Sequence, residues 1–258
     1  MCWWLELTEI WLPVLLTFLV GGLVKGAVGL GMPTVVLGVL SAYIPLPQAA
    51  ALLVIPSLVT NIWQLISGGN LTSLVSRLAP LAVGLALGTV LAPIGMATVD
   101  AKFATRGLGL MLMVYAIIGL SAARFIIRPS LELWLSPLIG IIAGLVNAAT
   151  GLFVMPVVPY LQSLEFNKDE LVQALALCFT VGALALAFRL HQDEVPVFGD
   201  MSGSALALIA ALLGMPIGKL LRARVSERVF RTSFYYCLLA IGGFLLLKTF
   251  FVSGLAYG

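Results

Sequence analysis

The chain has 258 residues, of which 61% are hydrophobic and only 10% are charged, and its formal net charge is +3. Soluble domains average about 45–50% apolar and about 25% charged residues, so this composition excludes a water-soluble fold. The small, dispersed positive charge excludes nucleic acid as a partner. The composition predicts an integral membrane protein whose first partner is the lipid bilayer.

Apolar blocks separated by charged or Pro/Gly-rich segments predict the membrane-spanning elements, since roughly 20 residues cross a bilayer core. Residues 81–91 and 238–247 are apolar on every face, which fits helices and not barrel strands. The acidic start (Glu6, Glu9) favours a retained first helix over a signal peptide. We predict an all-α, polytopic fold of 8–10 helical segments in a single transmembrane domain over residues 1–258. The eight blocks are 10–44, 47–68, 78–99, 103–124, 132–161, 167–190, 203–221 and 229–252.

The first block is too long for one straight helix. At about 1.5 Å per residue it would reach roughly 50 Å, against a bilayer core of about 30 Å. Its glycines and proline between Gly26 and Pro33 predict a break, because glycine loosens a helix and proline removes a donor. Lys25, directly before the break, would cost about 2.5–3.5 kcal/mol in the membrane, and such residues usually face a cavity. Alternatively the helix ends there and Lys25 snorkels to the surface.

Polar residues follow on the second block. Ser57, Thr60, Asn61 and Gln64 are spaced by three and four residues, so they share one face of a helix. Such a stripe lines either a water-filled route or a contact with another helix. The sixth block adds two more polar candidates inside a span, Gln173 and Thr180.

The fifth block repeats the design of the first. Gly22-x-x-x-Gly26-x-x-Gly29 is matched by Gly140-x-x-x-Gly144-x-x-Asn147, and Thr150-Gly151 and Met155-Pro156 follow. The match predicts two homologous repeats, approximately 10–124 and 132–252, as in many transporters. Four passes per half would make the repeats parallel and five would make them inverted; the sequence leaves both open.

Broken helices have a known use as anion sites. The N-terminus of each half-helix carries unpaired N–H groups and a partial positive charge, and two such ends could meet near the membrane midplane. The alternative is that these glycines only allow close helix packing, as Gly84-x-x-x-Gly88 and Gly214-x-x-x-Gly218 are expected to do.

An enzyme finds little support in this sequence. The single histidine, His191, lies in a predicted loop, so neither a zinc-protease motif nor a Ser/His pair within the membrane can be assembled. Cys2, Cys178 and Cys237 lack the spacing of metal ligands. We expect no catalysis, no metal and no cofactor.

Basic residues predict the orientation through the positive-inside rule. The basic loop that this rule places inside contains Lys219, Arg222, Arg224, Arg228 and Arg231. We expect a multi-pass protein of a bacterial-type inner membrane with both termini outside. Association with further copies of the chain stays open.

The sequence resembles the sulfite exporter TauE/SafE family of membrane transporters. The resemblance rests on residues 26–31 (GAVGLG), 56–64 (PSLVTNIWQ) and 153–162 (FVMPVVPYLQ), followed by Gln173 and Phe179-Thr180. It covers essentially the whole chain, and it implies export, or in some members uptake, of sulfite, sulfonates or related small organic anions. The run 147–151 is thinner in glycine than the family's second break, so whether that break binds substrate is left open.

These observations predict a transporter for a small anionic solute, with a midplane site between the two repeats. The alternatives are transport of a cation or a neutral metabolite, or a non-transporting membrane enzyme or assembly factor. The predicted substrate-binding residues are Lys25, Gly29, Gly31, Ser57, Asn61, Gln64, Asn147, Thr150, Gln173 and Thr180.

Overall fold

A computed structural model describes residues 3–67, 69, 71–121, 127–197, 201–224 and 227–254. Across these ranges all regular structure is helical, in ten helices. Eight are long and apolar enough to cross a membrane, whereas α2 and α7 have nine residues each. The predicted all-α, polytopic membrane fold is confirmed. The helices are α1 (Trp3–Val28), α2 (Met32–Leu40), α3 (Leu46–Ile66), α4 (Leu71–Val90), α5 (Ala101–Ser121), α6 (Pro129–Thr150), α7 (Val154–Gln162), α8 (Lys168–Gln192), α9 (Met201–Arg224) and α10 (Glu227–Gly254).

Both long blocks break at a glycine in the left-handed region. Gly29 has φ +86° and its N–H bonds to the carbonyl of Lys25 at 2.7 Å; Gly151 has φ +73° and bonds to the carbonyl of Asn147 at 2.7 Å. Such a glycine ends a helix because it lacks the Cβ that would clash there. Asn147 therefore occupies the position of Lys25. The predicted match aligns Asn147 with Gly29 instead; the two alignments differ because α6 runs one turn further beyond its glycine pair before it breaks.

Each short helix folds back along the helix before it. A Cβ atom added at Gly21 of α1 would lie 3.1 Å from side-chain atoms of Met32 and Val36 in α2. In the second half, the hydroxyl of Tyr160 in α7 lies 2.6 Å from that of Ser136 in α6. Each broken block is thus a hairpin and not a single bent pass, so each half of the chain contains five segments.

The second hairpin differs from the first at its tip. In α2, Pro33 lies in the first turn, where a missing N–H costs nothing. In α7, Met155 is non-helical (φ −96°, ψ 125°), so regular helix begins only at Pro156. The prediction of a helix N-terminus at each break therefore fits α2 better than α7.

The helices pack most closely as four pairs: α1 with α9, α4 with α6, α5 with α10, and α3 with α8. Glycines let the first two pairs approach. A Cβ atom at Gly22 or Gly26 would overlap the backbone of α9, and one at Gly140 or Gly144 would overlap the backbone of α4. Gly26 is thus a packing residue inside α1 and lies outside the break that was predicted to begin there.

The two ends of the bundle can be told apart by their polar contacts. At the first end, Arg77 near the start of α4 pairs with Glu132 near the start of α6 at 2.7 and 2.8 Å. At the second end, Arg189 of α8 donates to the carbonyl of Ala92, just beyond α4, at 2.5 Å. Because each broken block turns back as a hairpin, successive connections between the long helices lie alternately at the first and the second end of the bundle.

Candidate functional site at the two helix breaks

Lys25 is buried, although it belongs to the last turn of α1. Only 3% of its surface is exposed, and its Nζ donates to Thr60 Oγ1 at 2.8 Å and to Asn61 Oδ1. Because α3 passes beside the break, the polar stripe on α3 meets the lysine there. The alternative in which Lys25 snorkels to the surface is wrong.

No carboxylate pairs with Lys25 among the residues that the structure describes. The two ion pairs found in those residues are Arg77–Glu132 and Arg189–Asp193, at opposite ends of the bundle. A buried ammonium normally requires an opposite charge as well as hydrogen bonds, because removing it from water is costly. Lys25 is therefore a buried lysine whose observed partners are neutral side chains, without a counter-charge among the described residues.

A row of hydrogen bonds leads away from Lys25 along α3. The hydroxyl of Thr60 donates to the carbonyl of Pro56 at 2.7 Å, which leaves its oxygen to accept from Lys25. The Asn61 amide, which accepts from Lys25 through Oδ1, donates from Nδ2 to Ser57 Oγ at 3.1 Å. Asn61 and Ser57 are both buried. These hydrogen bonds thus form a chain from Lys25 through Asn61 to Ser57, near the middle of α3.

Gln64 continues the same face of α3 and ties it to the first break. Its Nε2 donates to the carbonyl of Gly29 at 3.3 Å. Because a helix leaves its last carbonyls without intrahelical donors, this bond partly satisfies the end of α1. Gln64 holds the hairpin in place beside Lys25.

Asn147 stands at the second break as Lys25 stands at the first. It is completely buried, and its Nδ2 donates to Thr89 Oγ1 at 3.2 Å and to the carbonyl of Gly182 at 3.1 Å. Its Oδ1 has no hydrogen-bond partner. The sequence analysis missed Thr89 and Gly182; the available signal was a polar residue directly after the Gly84-x-x-x-Gly88 pair.

A small cavity lies between the second break and the first turn of α2. Its volume is about 20 Å³, enough for roughly one water molecule. Pro33 from the first turn of α2 and Val154 from the start of α7 both line it, together with Ser57 and Asn147. The other lining residues are apolar or glycine, including Phe153 and Phe179. The cavity thus brings one polar group from each half of the chain to a common space.

Comparison with known proteins decides the family. The model of the sulfite exporter TauE/SafE family matches residues 14–245, a range that contains both breaks and reaches from α1 into α10. The chain belongs to the TauE/SafE family. A search of the curated proteins and a search of the solved structures gave no match. Membership makes this chain a multi-pass membrane transporter.

Of the ten predicted site residues of this TauE/SafE transporter, Ser57 and Asn147 line the cavity and eight do not. Four of these eight lie together at the first break, namely Lys25, Gly29, Asn61 and Gln64. The other four make contacts elsewhere in the fold. Thr150 bonds within the second break, to Val146 O at 2.7 Å and to Leu152. Gln173 donates to Leu65 O at 2.8 Å, and Thr180 donates to Ala176 O in its own helix at 2.7 Å. Gly31, with φ +104°, packs beside Phe234. These four stabilise the fold around the site in this conformation.

Proposed function

We propose that this TauE/SafE transporter carries a small anion through a site between its two helix breaks, and that Lys25 supplies the positive charge. The observation that supports this best is the burial of Lys25 among neutral partners. An anion in the neighbouring cavity would provide the missing counter-charge. At an effective dielectric constant of about 20, opposite unit charges about 4 Å apart attract by about 4 kcal/mol, and the attraction falls in inverse proportion to their separation.

The family description names sulfite, which supports a small sulfur-containing or related organic anion as the substrate class. We assign sulfite, a sulfonate or a related organic anion as the solute and export as the direction. With an inside-negative membrane potential, each negative charge that leaves gains about 2.3 kcal/mol per 100 mV, so export needs no coupling ion.

The packing of the helices supports two inverted repeats, approximately 10–124 and 132–252. Replacing each helix of α1–α5 by its counterpart in α6–α10 converts the α1–α9 contact into α6–α4, and α3–α9 into α8–α4. The α3–α8 and α5–α10 contacts convert into themselves. An odd number of segments per half would invert the second repeat, and such pairs of repeats surround midplane sites in other transporters.

The test is flux of radiolabelled sulfite or a sulfonate into proteoliposomes that contain the full chain. Lys25→Met, which keeps the length of the side chain and removes its charge, should lower saturable anion flux by at least about tenfold. Lys102→Met is the matched control, because Lys102 is exposed at the start of α5, and it should transport like the wild type.

Two results would contradict the proposal. Absence of saturable flux for every anion tried would remove the anion assignment. Undiminished anion flux in Lys25→Met would show that the lysine charge is not used, and would leave anion transport without the site proposed for it.

A further inference from the structure

We propose that Asn147 and Ser57 form a subsite that selects anions carrying an O–H or N–H donor. The inference rests on the proposed anion transport and narrows its substrate class. The two side chains are the only polar ones among the residues that line the small cavity. They come from opposite halves of the chain, Ser57 from α3 and Asn147 from α6.

The orientation of the Asn147 amide is fixed by its partners. Nδ2 bonds to the carbonyl oxygen of Gly182, which can only accept, and to Thr89 Oγ1, whose hydrogen is directed to Leu85 O at 2.8 Å. Turning the amide over would place Oδ1 against two acceptors. Nδ2 is therefore taken up by its two partners, and Oδ1 is the buried, unpaired atom of Asn147, a residue that lines the cavity.

Ser57 offers the complementary group. Its Oγ accepts from Asn61 Nδ2 at 3.1 Å, and its hydrogen has no acceptor among the described residues. The side chains that line the cavity thus include one acceptor without a partner, Asn147 Oδ1, and one donor without an acceptor, the Ser57 hydroxyl, among apolar residues. Buried polar groups nearly always find partners, and each one left unpaired is costly.

A hydroxyl, an amino group or a protonated acid oxygen on the solute can donate a hydrogen bond to Asn147 Oδ1. The hydroxyl and the protonated acid oxygen can also accept a hydrogen bond from Ser57. In this structure the cavity is about the size of one water molecule, so a solute must widen it to bind. An anion without a donor would leave Asn147 Oδ1 unpaired. Sites of this kind reject such analogues strongly.

The experiment compares anions that differ by one hydroxyl. Ethanesulfonate is paired with 2-hydroxyethanesulfonate, and propionate with lactate, as inhibitors of radiolabelled sulfite flux in proteoliposomes of the full chain. In each pair the hydroxylated anion should inhibit at a concentration at least about tenfold lower.

Three variants separate the subsite from the fold. In Asn147→Leu, the inhibitory concentrations of the two anions in each pair should differ by no more than about twofold. Ser57→Ala leaves both hydrogen bonds of Asn147 in place, and it should reduce the preference for the hydroxylated anion about threefold. This variant provides the test if Asn147→Leu does not fold. Thr17→Val is the control, because the buried Thr17 bonds only to Pro13 of its own helix, and it should keep the full preference.

The outcomes distinguish the two proposals. Equal inhibition within each pair, or saturable sulfite flux that no member inhibits, would overturn the donor selection and leave anion transport standing; the cavity would then hold water only. Absence of all saturable anion flux would overturn the proposed function and this inference with it.

Discussion

Lys25 and Asn147 occupy equivalent places and carry different chemistry. Each lies four residues before a glycine with positive φ, each is buried, and each bonds across to another helix. One is a lysine and the other a neutral amide. The two breaks are therefore alike in backbone and unlike in the side chain that each one buries.

The charge of Lys25 can be cancelled without changing the shape of its surroundings. In Asn61→Asp, a carboxylate of nearly the same volume would replace the amide that accepts from Lys25, giving the buried ammonium a permanent partner. We expect thermal stability to be retained and anion flux to fall by at least about tenfold, because the solute would then compete with an internal counter-ion. Flux and melting temperature in detergent measure the two effects.

Asn167→Asp is the matched control for that substitution. Asn167 caps the exposed start of α8 by accepting from the N–H groups of Asp169 and Glu170, and aspartate caps a helix equally well. The control should change neither flux nor stability. Unchanged flux in Asn61→Asp itself would show that the positive charge takes no part in transport.

The sequence predicted one side of the candidate site better than the other. Ser57, Asn61 and Gln64 could be placed together because helical spacing alone puts them on one face, and Lys25 was marked by its charge. The partners of Asn147 could not be found in this way, since Thr89 and Gly182 reach it only through packing of α4 and α8. Contacts between helices are not encoded in the spacing along either one.

At the scale of the helix, glycine has two separate tasks in this fold. Gly29, Gly31 and Gly151 adopt positive φ and make the breaks. Gly84 and Gly140 instead sit inside regular helices, where their missing side chains let α4 and α6 touch. The sequence predicted both uses but assigned Gly26 to the wrong one, because a glycine pattern does not reveal where a helix ends.

Gly84→Ala tests the contact between α4 and α6. A Cβ atom at this position would lie 2.5 Å from the carbonyl oxygen of Pro137 and 3.2 Å from the Cα of Gly140, so the two helices would have to separate. Overpacking of this kind typically costs about 1–3 kcal/mol, and we expect a lower melting temperature in detergent.

Gly243→Ala is the control for Gly84→Ala, because no atom lies within 4 Å of a Cβ atom at Gly243 in α10. Alanine favours a helix over glycine by about 1 kcal/mol, so this variant should melt at the wild-type temperature or above it. Equal melting of the two variants would mean that α4 and α6 do not pack through these glycines.

For the whole molecule, the hairpins decide how the chain crosses the membrane. The first break lies beside Gln64 near the end of α3, and the second lies beside Met96 beyond the end of α4. The two breaks thus lie toward opposite ends of the bundle. The sequence could show that both long blocks break, but not that the chain turns back, since the same residues are compatible with a bend.

Cysteine labelling of the two connections around α4 distinguishes the ten-segment arrangement from eight straight passes. Gly69 and Ile94 are exposed, and each is replaced by cysteine in a chain lacking Cys2, Cys178 and Cys237, with Gln192→Cys as the outside reference. With ten segments, an impermeant maleimide added outside should label positions 94 and 192 and leave 69 unlabelled, because the basic end near Lys219 faces inside. Labelling of 69 and 192 without 94 would instead mean that neither hairpin turns back within the membrane.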